Sequence, residues 1–283
     1  MRHAVSNGTP AVPAAVEQRI GIAWRDGAAA TCARAVAEET AIAITYDRVT
    51  HAVMMASPAD LEDFAVGFSL GEGVVEHTGQ IERIMIEPSD LGIDLRMDLA
   101  AGCGRGYAER RRRMAGPVGC GLCGIESLAQ AMRPVPAVGQ GARLPAKAVV
   151  AAITALSQGQ ALNRQTHAVH AAGLWLPGAG MAALREDVGR HNALDKLAGA
   201  LARQGIDGAA GMVVLTSRVS VEMVQKTARI GAQILAAVSA PTGLALRTAA
   251  AAGITLVAVA RGDGFEVFTH PERIIMTRAH DVA

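Results

Sequence analysis

Residues 212–260 read MVVLTSRVS-VEMVQKTARI-GAQILAAVSA-PTGLALRTAA-AAGITLVAVA. Three short apolar runs rich in Val, Ile, Leu and Ala alternate with two longer amphipathic stretches. Runs of this length bounded by turn residues predict buried strands at Met212–Thr216, Gln233–Val238 and Ile254–Ala260. The stretches between them predict helices at Val221–Ile230 and Pro241–Ala251. Apolar strands alternating with helices predict an α/β layer with largely parallel strands. Outward from this core, a further strand is expected at Phe265–Thr269 and a helix at Arg190–Arg203. Weaker strands are expected at His167–Trp175 and Met181–Arg185, after an amphipathic helix at Pro145–Gln158.

The amino-terminal half has a different pattern. Strands are expected at Ala41–Tyr46 and His51–Ala56. Ser57-Pro58 then reads as an N-cap and first helical residue, with Asp60 and Glu62 in the first turn and a stop near Gly71 and Gly73. Ile81–Glu87 reads as a strand. Leu91–Leu99 places Leu91, Ile93, Leu95, Met97 and Leu99 on one face. Ala100–Gly124 reads as a long loop, Ile125–Met132 as a short helix and residues 133–144 as a connector. The expected organisation is a disordered tail over 1–17, a β-rich part over 18–144 carrying helix 58–70 and the loop 100–124, and an α/β part over 145–283.

The 283 residues are 51% hydrophobic but only 3% aromatic, so the core is aliphatic. A net charge of +1 gives no global drive toward nucleic acid or an anionic membrane. No apolar stretch is long and clean enough for a membrane span, and the start does not read as a signal peptide. The expected location is the cytoplasm, where thiols stay reduced.

Ligands of open α/β sheets collect beyond the carboxyl ends of the strands. Four polar segments follow the expected strands: Glu186 to Asn192, Thr216 to Ser220, Ser239 to Thr242 and Arg261 to Gly264. The first three open helices, whose free N–H groups suit anions, although hydroxyls there also serve as caps. If the strands are parallel, all four face one crevice, and arginines, hydroxyls and helix starts together favour a phosphorylated ligand. His191 and Asp195, four apart, share a helix face, so the carboxylate could orient the imidazole. His167 and His170 are expected on opposite faces of a strand.

Gly119-Cys120-Gly121-Leu122-Cys123-Gly124 holds two of the four cysteines, just after Arg110 to Arg113. Glycines leave these thiols reachable, and nearby arginines favour the thiolate. Spacing alone leaves three readings open: half of a zinc site, a dithiol redox pair, or a persulfide carrier.

Taken together, the motifs resemble the formate dehydrogenase accessory sulfurtransferases, the FdhD family, from about Glu39 to Arg273. The resemblance is carried by Ser57 to Phe68 with Glu72-Gly73, by Cys120 to Gly124, by His170-Ala171-Ala172, by Glu186 to Lys196, by Ser220 to Lys226 and by Ser239 to Thr242. It implies a sulfur carrier and sulfurtransferase that accepts sulfur from a cysteine desulfurase as a persulfide on Cys120, assisted by Cys123. The acceptor implied is the molybdenum cofactor, bis-molybdopterin guanine dinucleotide, on its way to the catalytic subunit of formate dehydrogenase. The implied cofactor-binding residues are Val259, Ala260, Arg261, Gly262, Asp263 and Gly264. With them go the strand-end residues His170, Asp187, Arg190, His191, Ser217, Arg218 and Ser239. The resemblance further implies a homodimer and a cytidine-deaminase-like three-layer α/β domain with a mixed, partly parallel sheet beside a smaller β-rich part. No zinc, nucleic acid or membrane is expected. Two positions depart from the family pattern: Ser217-Arg218 lacks an intervening glycine, and Thr166-His167-Ala168 stands where the family has threonine-glycine.

Overall fold

The computed structural model describes residues 10–103, 135–262 and 264–276. The chain opens on a hairpin, β1 (Val16–Arg25) and β2 (Ala28–Ala37), paired over its whole length. Asp26 and Gly27 make the turn at φ 51° and 79°, the two left-handed positions that an Asp-Gly hairpin turn requires. Strand β1 thus begins at Val16, within the segment expected as a tail, and a ribbon precedes the first expected strand. The Asp-Gly signal was present. The second strand is alanine-rich and both are mostly exposed, so the ribbon has little of the pattern of a strand that buries one face in a core.

Strands β3 (Thr40–Tyr46), β4 (Val49–Ala56), β5 (Ile81–Ser89) and β6 (Gly92–Leu99) form a sheet of order β4-β3-β6-β5, in which only β3 and β6 run parallel. Ile42, Ile44, Ile93, Leu95 and Met97 point from it onto Phe64 and Phe68 of helix α1 (Leu61–Glu72). Leu91 is not part of that face; it lies in the turn before β6 and is 92% exposed.

Helix α1 also starts later than expected. Its N-cap is Asp60, held at φ 53° without a side-chain capping bond. Ser57 is not the cap because its polar groups are taken elsewhere, as described below. The end follows expectation: Gly73 at φ 67° sends its N–H to the carbonyls of Ser69 and Leu70.

The second half begins with β7 (Leu144–Pro145), α2 (Ala146–Gly159) and α3 (Ala161–Thr166). His167 follows as the C-cap of α3 at φ 55°, so it is not in a strand with His170. Glycine favours that left-handed conformation, and glycine is the residue that the family resemblance implies there. Next come β8 (His170–Leu176), β9 (Gly180–Asp187), α4 (Arg190–Gln204), β10 (Met212–Leu215) and α5 (Val221–Ile230). Then follow β11 (Ile234–Ala237), α6 (Gly243–Ala252), β12 (Thr255–Arg261), β13 (Gly264–Val267) and β14 (Ile274–Ile275).

Six of these strands form a sheet of order β13-β12-β11-β10-β8-β9. The three central strands β10, β11 and β12 are parallel, whereas β8 and β13 run against their neighbours. Both faces are covered, giving three layers. Met212, Val214, Ile234, Ala236 and Val257 pack toward Val149, Ala152 and Leu156 of α2. Val213, Leu215, Leu235, Ala237 and Leu256 pack toward α4, α5 and α6. Burial on both faces explains why these strands read as unbroken apolar runs.

Two glycines join the halves. A Cβ on Gly67 of α1 would overlap the carbonyl of Asp195, and one on Gly199 of α4 would overlap the carbonyl of Asp63. The helices therefore touch backbone to backbone, and no side chain fits between them. Asp63 adds charge to this contact, accepting from Arg185 Nε at 2.8 Å and Arg203 at 2.6 Å. Gly199→Val is expected to lower unfolding free energy by about 3 kcal/mol, measured by urea denaturation. Unchanged stability would mean that the helices can separate at no cost.

Candidate functional site

Because β8 is antiparallel to both β9 and β10, β9 runs in the same direction as β10, β11 and β12. The carboxyl ends of four strands therefore meet at one edge of the sheet. The amino end of β8 lies there too, with His170 directly opposite Asp187. The single edge expected for the four polar segments is thus formed by a mixed sheet.

Asp187 organises this edge. It is completely buried, and both carboxylate oxygens are taken. Oδ2 accepts from Lys196 Nζ at 2.6 Å and from the Ser57 N–H at 3.0 Å. Oδ1 accepts from the Gly189 N–H at 2.7 Å and Asn192 Nδ2 at 2.9 Å. Lys196, equally buried, also donates to the Ser57 carbonyl at 2.9 Å, and Ser57 Oγ accepts from the Val188 N–H at 3.1 Å. A buried ion pair is stable only when its remaining hydrogen-bonding capacity is filled, and here Ser57 fills it from the other half of the chain. Asp187 thus holds the strand-to-helix turn that aims Arg190 and His191.

In the first turn of α4, His191 Nδ1 lies 3.1 Å from Glu222 Oε2, not beside Asp195. Asp195 instead pairs with Lys226 at 2.5 Å. Glu222 and Lys226 are one helical turn apart on α5, as His191 and Asp195 are on α4, so the two helices face each other across two polar rungs. Burial, then Lys226, Arg190 and His170, push the His191 pKa down to about 3. Burial likewise raises the Glu222 and Asp195 carboxyls, against the pull of Lys226. The imidazole is neutral and its second nitrogen is free. Among the described residues, His191 Nε2, Arg190 Nε and Ser220 Oγ are buried polar atoms with no protein partner. Such atoms carry a cost unless something binds them. They gather where α4 and α5 begin.

His170 is pushed below its usual pKa by burial and by Arg190, with Arg218 adding to the effect and Asp187 opposing it. Thr216 Oγ1 accepts from the Ala171 N–H at 2.9 Å, which locks β8 to the segment after β10. Ser217 is buried and donates to the Arg218 carbonyl at 2.9 Å, whereas the Arg218 side chain is exposed. Neither residue has a positive φ, so the turn forms without the family's glycine. Thr242 caps α6 by accepting from the Ala245 N–H at 3.2 Å, which fills the capping role at that segment. Ser239, half-buried, accepts through its carbonyl from the Val259 N–H at 3.2 Å. Val259 sits at φ 53°, in a register shift between Ala258 and Arg261. A β-branched residue in this left-handed conformation is a strained exception that marks functional segments. The shift leaves Arg261 and Gly262 exposed at the edge, with Ala260 buried behind them and Gly264 opening β13. Cys120, Cys123, Asp263 and Arg110 to Arg113 lie outside the described residues.

The structure thus brings His170, Asp187, Arg190, His191, Ser217 and Arg218 together, with Ser239 and Val259 to Gly262 along the same edge. Sequence reading missed the roles of Glu222, Lys196, Asn192 and Ser57. Glu222 in the first turn after Ser220 was a weak signal. Ser57 reaches Asp187 from 130 residues away, and Lys196 and Asn192, although close to Asp187 in the chain, also bond the distant carbonyls of Ser57 and Met55.

The pattern of the FdhD/NarQ family matches residues 37–275. The chain is 55% identical over 255 residues to the sulfur carrier protein FdhD of Agrobacterium fabrum, covering 90% of this chain and 94% of that one. It is 50% identical to the protein of the same name from Bordetella petrii, over 87% of this chain and 88% of the relative. A crystal structure from Desulfotalea psychrophila, named as a candidate formate dehydrogenase accessory protein, superposes with a TM-score of 0.72 at 28% identity, covering 93% of this chain and all of that one.

Two outcomes are expected. Lys196→Met leaves the Asp187 carboxylate buried and unpaired and costs about 3–5 kcal/mol of stability, read by urea denaturation at neutral pH. Below pH 6.5 the unfolded chain takes up a proton on His191 that the fold refuses until about pH 3, so this residue's contribution to stability falls as pH falls. His191→Gln therefore shows a flatter loss of stability than wild type between these values. Parallel curves would rule out a buried neutral histidine.

Proposed function

The chain belongs to the FdhD/NarQ family, and from that premise we propose that it is a sulfur carrier serving formate dehydrogenase. The observation that carries this reading is its 55% identity, over nine-tenths of its length, to a protein named for sulfur carriage. The sulfur donor is a cysteine desulfurase. The Cys120 thiolate attacks the terminal sulfur of the donor's persulfide, the donor cysteine leaves as its thiolate, and Cys120 holds the sulfur as a persulfide. Cys123 assists from three residues away. The reaction is a cytoplasmic sulfur transfer.

The sulfur acceptor is the molybdenum cofactor in its bis-guanine-dinucleotide form, before it enters formate dehydrogenase. The strand-end edge suits such a substrate. Arg190, Arg218 and Arg261 offer positive charge to phosphates. Arg190 Nε can donate, the neutral His191 can accept or donate at Nε2 according to its tautomer, and Ser220 Oγ can do both. The guanine-dinucleotide arms carry both kinds of group. We read the three-layer mixed sheet as a cytidine-deaminase-like domain, and the working unit as a homodimer.

Intact mass after incubation with a cysteine desulfurase and free cysteine tests the carrier step. Wild type is expected to gain sulfur that a thiol reductant removes, and Cys120→Ala to gain none. Equal gain by the Cys120→Ala, Cys123→Ala double variant would reject the reading.

A further inference from the structure

The β1–β2 ribbon carries an apolar face that stays exposed among the described residues. Side chains alternate across a strand, and directly paired residues share a face. Ile20, Ile22 and Trp24 therefore lie in one row, opposite Ala33, Thr31 and Ala29. The three large side chains are 76%, 80% and 73% exposed. The rest of that face, from the Val16–Ala37 pair outward, is also uncharged, whereas Glu17, Arg19, Arg25 and Arg34 all fall on the other face. A two-stranded ribbon is marginal by itself, and a stripe of exposed Ile and Trp marks an interaction surface.

We infer that this face is where a second copy of the chain docks. The inference deepens the homodimer reading above by naming its surface. The face is self-complementary: one strand presents a row of large side chains and its partner a row of small ones. A two-fold axis running along the ribbon, between two stacked copies, places the Ile20–Ile22–Trp24 row of each over the Ala29–Thr31–Ala33 row of the other. Large then meets small in both directions, as an isologous interface requires. With no charge on the face, nothing is buried unpaired. The family pattern starts at residue 37, so this surface belongs to the segment before it. The face is about 34 Å long and 10 Å wide, which is smaller than a standard interface. The ribbon therefore adds a weak, concentration-dependent contact.

Sedimentation of the full chain, diluted from on the order of 100 µM, tests this. Wild type is expected to pass from dimer to monomer on dilution, with Trp24 emission moving to the red as the contact opens. Ile22→Glu places two charges in the contact and should weaken dimerisation roughly 100-fold. Arg19→Glu, on the other face, should leave dimerisation within about threefold of wild type. Equal loss in both variants would trace the effect to ribbon folding and overturn the assignment. A dimer that survives Ile22→Glu unchanged would place the interface elsewhere while keeping the homodimer. A wild type that stays monomeric throughout would reject both, and its binding to anionic lipid vesicles would reassign the face to a membrane surface. Sulfur loading of Cys120 is independent of all these outcomes.

Discussion

The buried pair of Asp187 and Lys196 is the contact on which the site depends. An ion pair 2.6 Å apart and completely buried is stable only when its remaining hydrogen-bonding capacity is filled. The backbone of Ser57 fills that need from 130 residues away. One electrostatic requirement therefore fixes three things together: the turn from β9 into α4, the path of the chain from β4 into α1, and the seating of one half on the other. The glycine contact between α1 and α4 then sets how closely the halves approach.

This arrangement divides structural from chemical work at the strand-end edge. Asp187 has the charge expected of a ligand-binding residue, but its carboxylate is saturated by protein groups. Its effect on a ligand passes through Arg190 and His191, whose turn it holds. His191 stays neutral because it is buried among cations. Its partner Glu222 comes from the next helix. With that partner in place, the outward nitrogen remains open at the same edge as Arg190 Nε and Ser220 Oγ. In the proposed reading, a polar substrate completes these atoms, which have no partner among the described residues.

Much of the α/β half was legible because burial on both faces writes strands as plain apolar runs. The runs at 212–216, 233–238 and 254–260 matched β10, β11 and β12 to within a residue or two. The α1 helix was found but started late, since a serine before a proline reads locally as a cap whatever distant aspartate it binds. The first hairpin was overlooked because neither of its faces packs into a core. His191 was paired with Asp195 by helical spacing, whereas the fold supplied Glu222 at 3.1 Å. Spacing within one helix cannot report what the neighbouring helix presents.

The sequence by itself determined the class of fold, the segments that cluster beyond the strand ends, and the family. Each rests on local pattern: hydrophobic period, turn residues and motif order. Only the tertiary structure decided which side chains are satisfied and which are left open. Hydrogen-bond satisfaction is a property of the packed chain, set by residues as far apart as Ser57 and Asp187. It separates the saturated aspartate that builds this edge from the histidine, arginine and serine atoms that have no partner among the described residues.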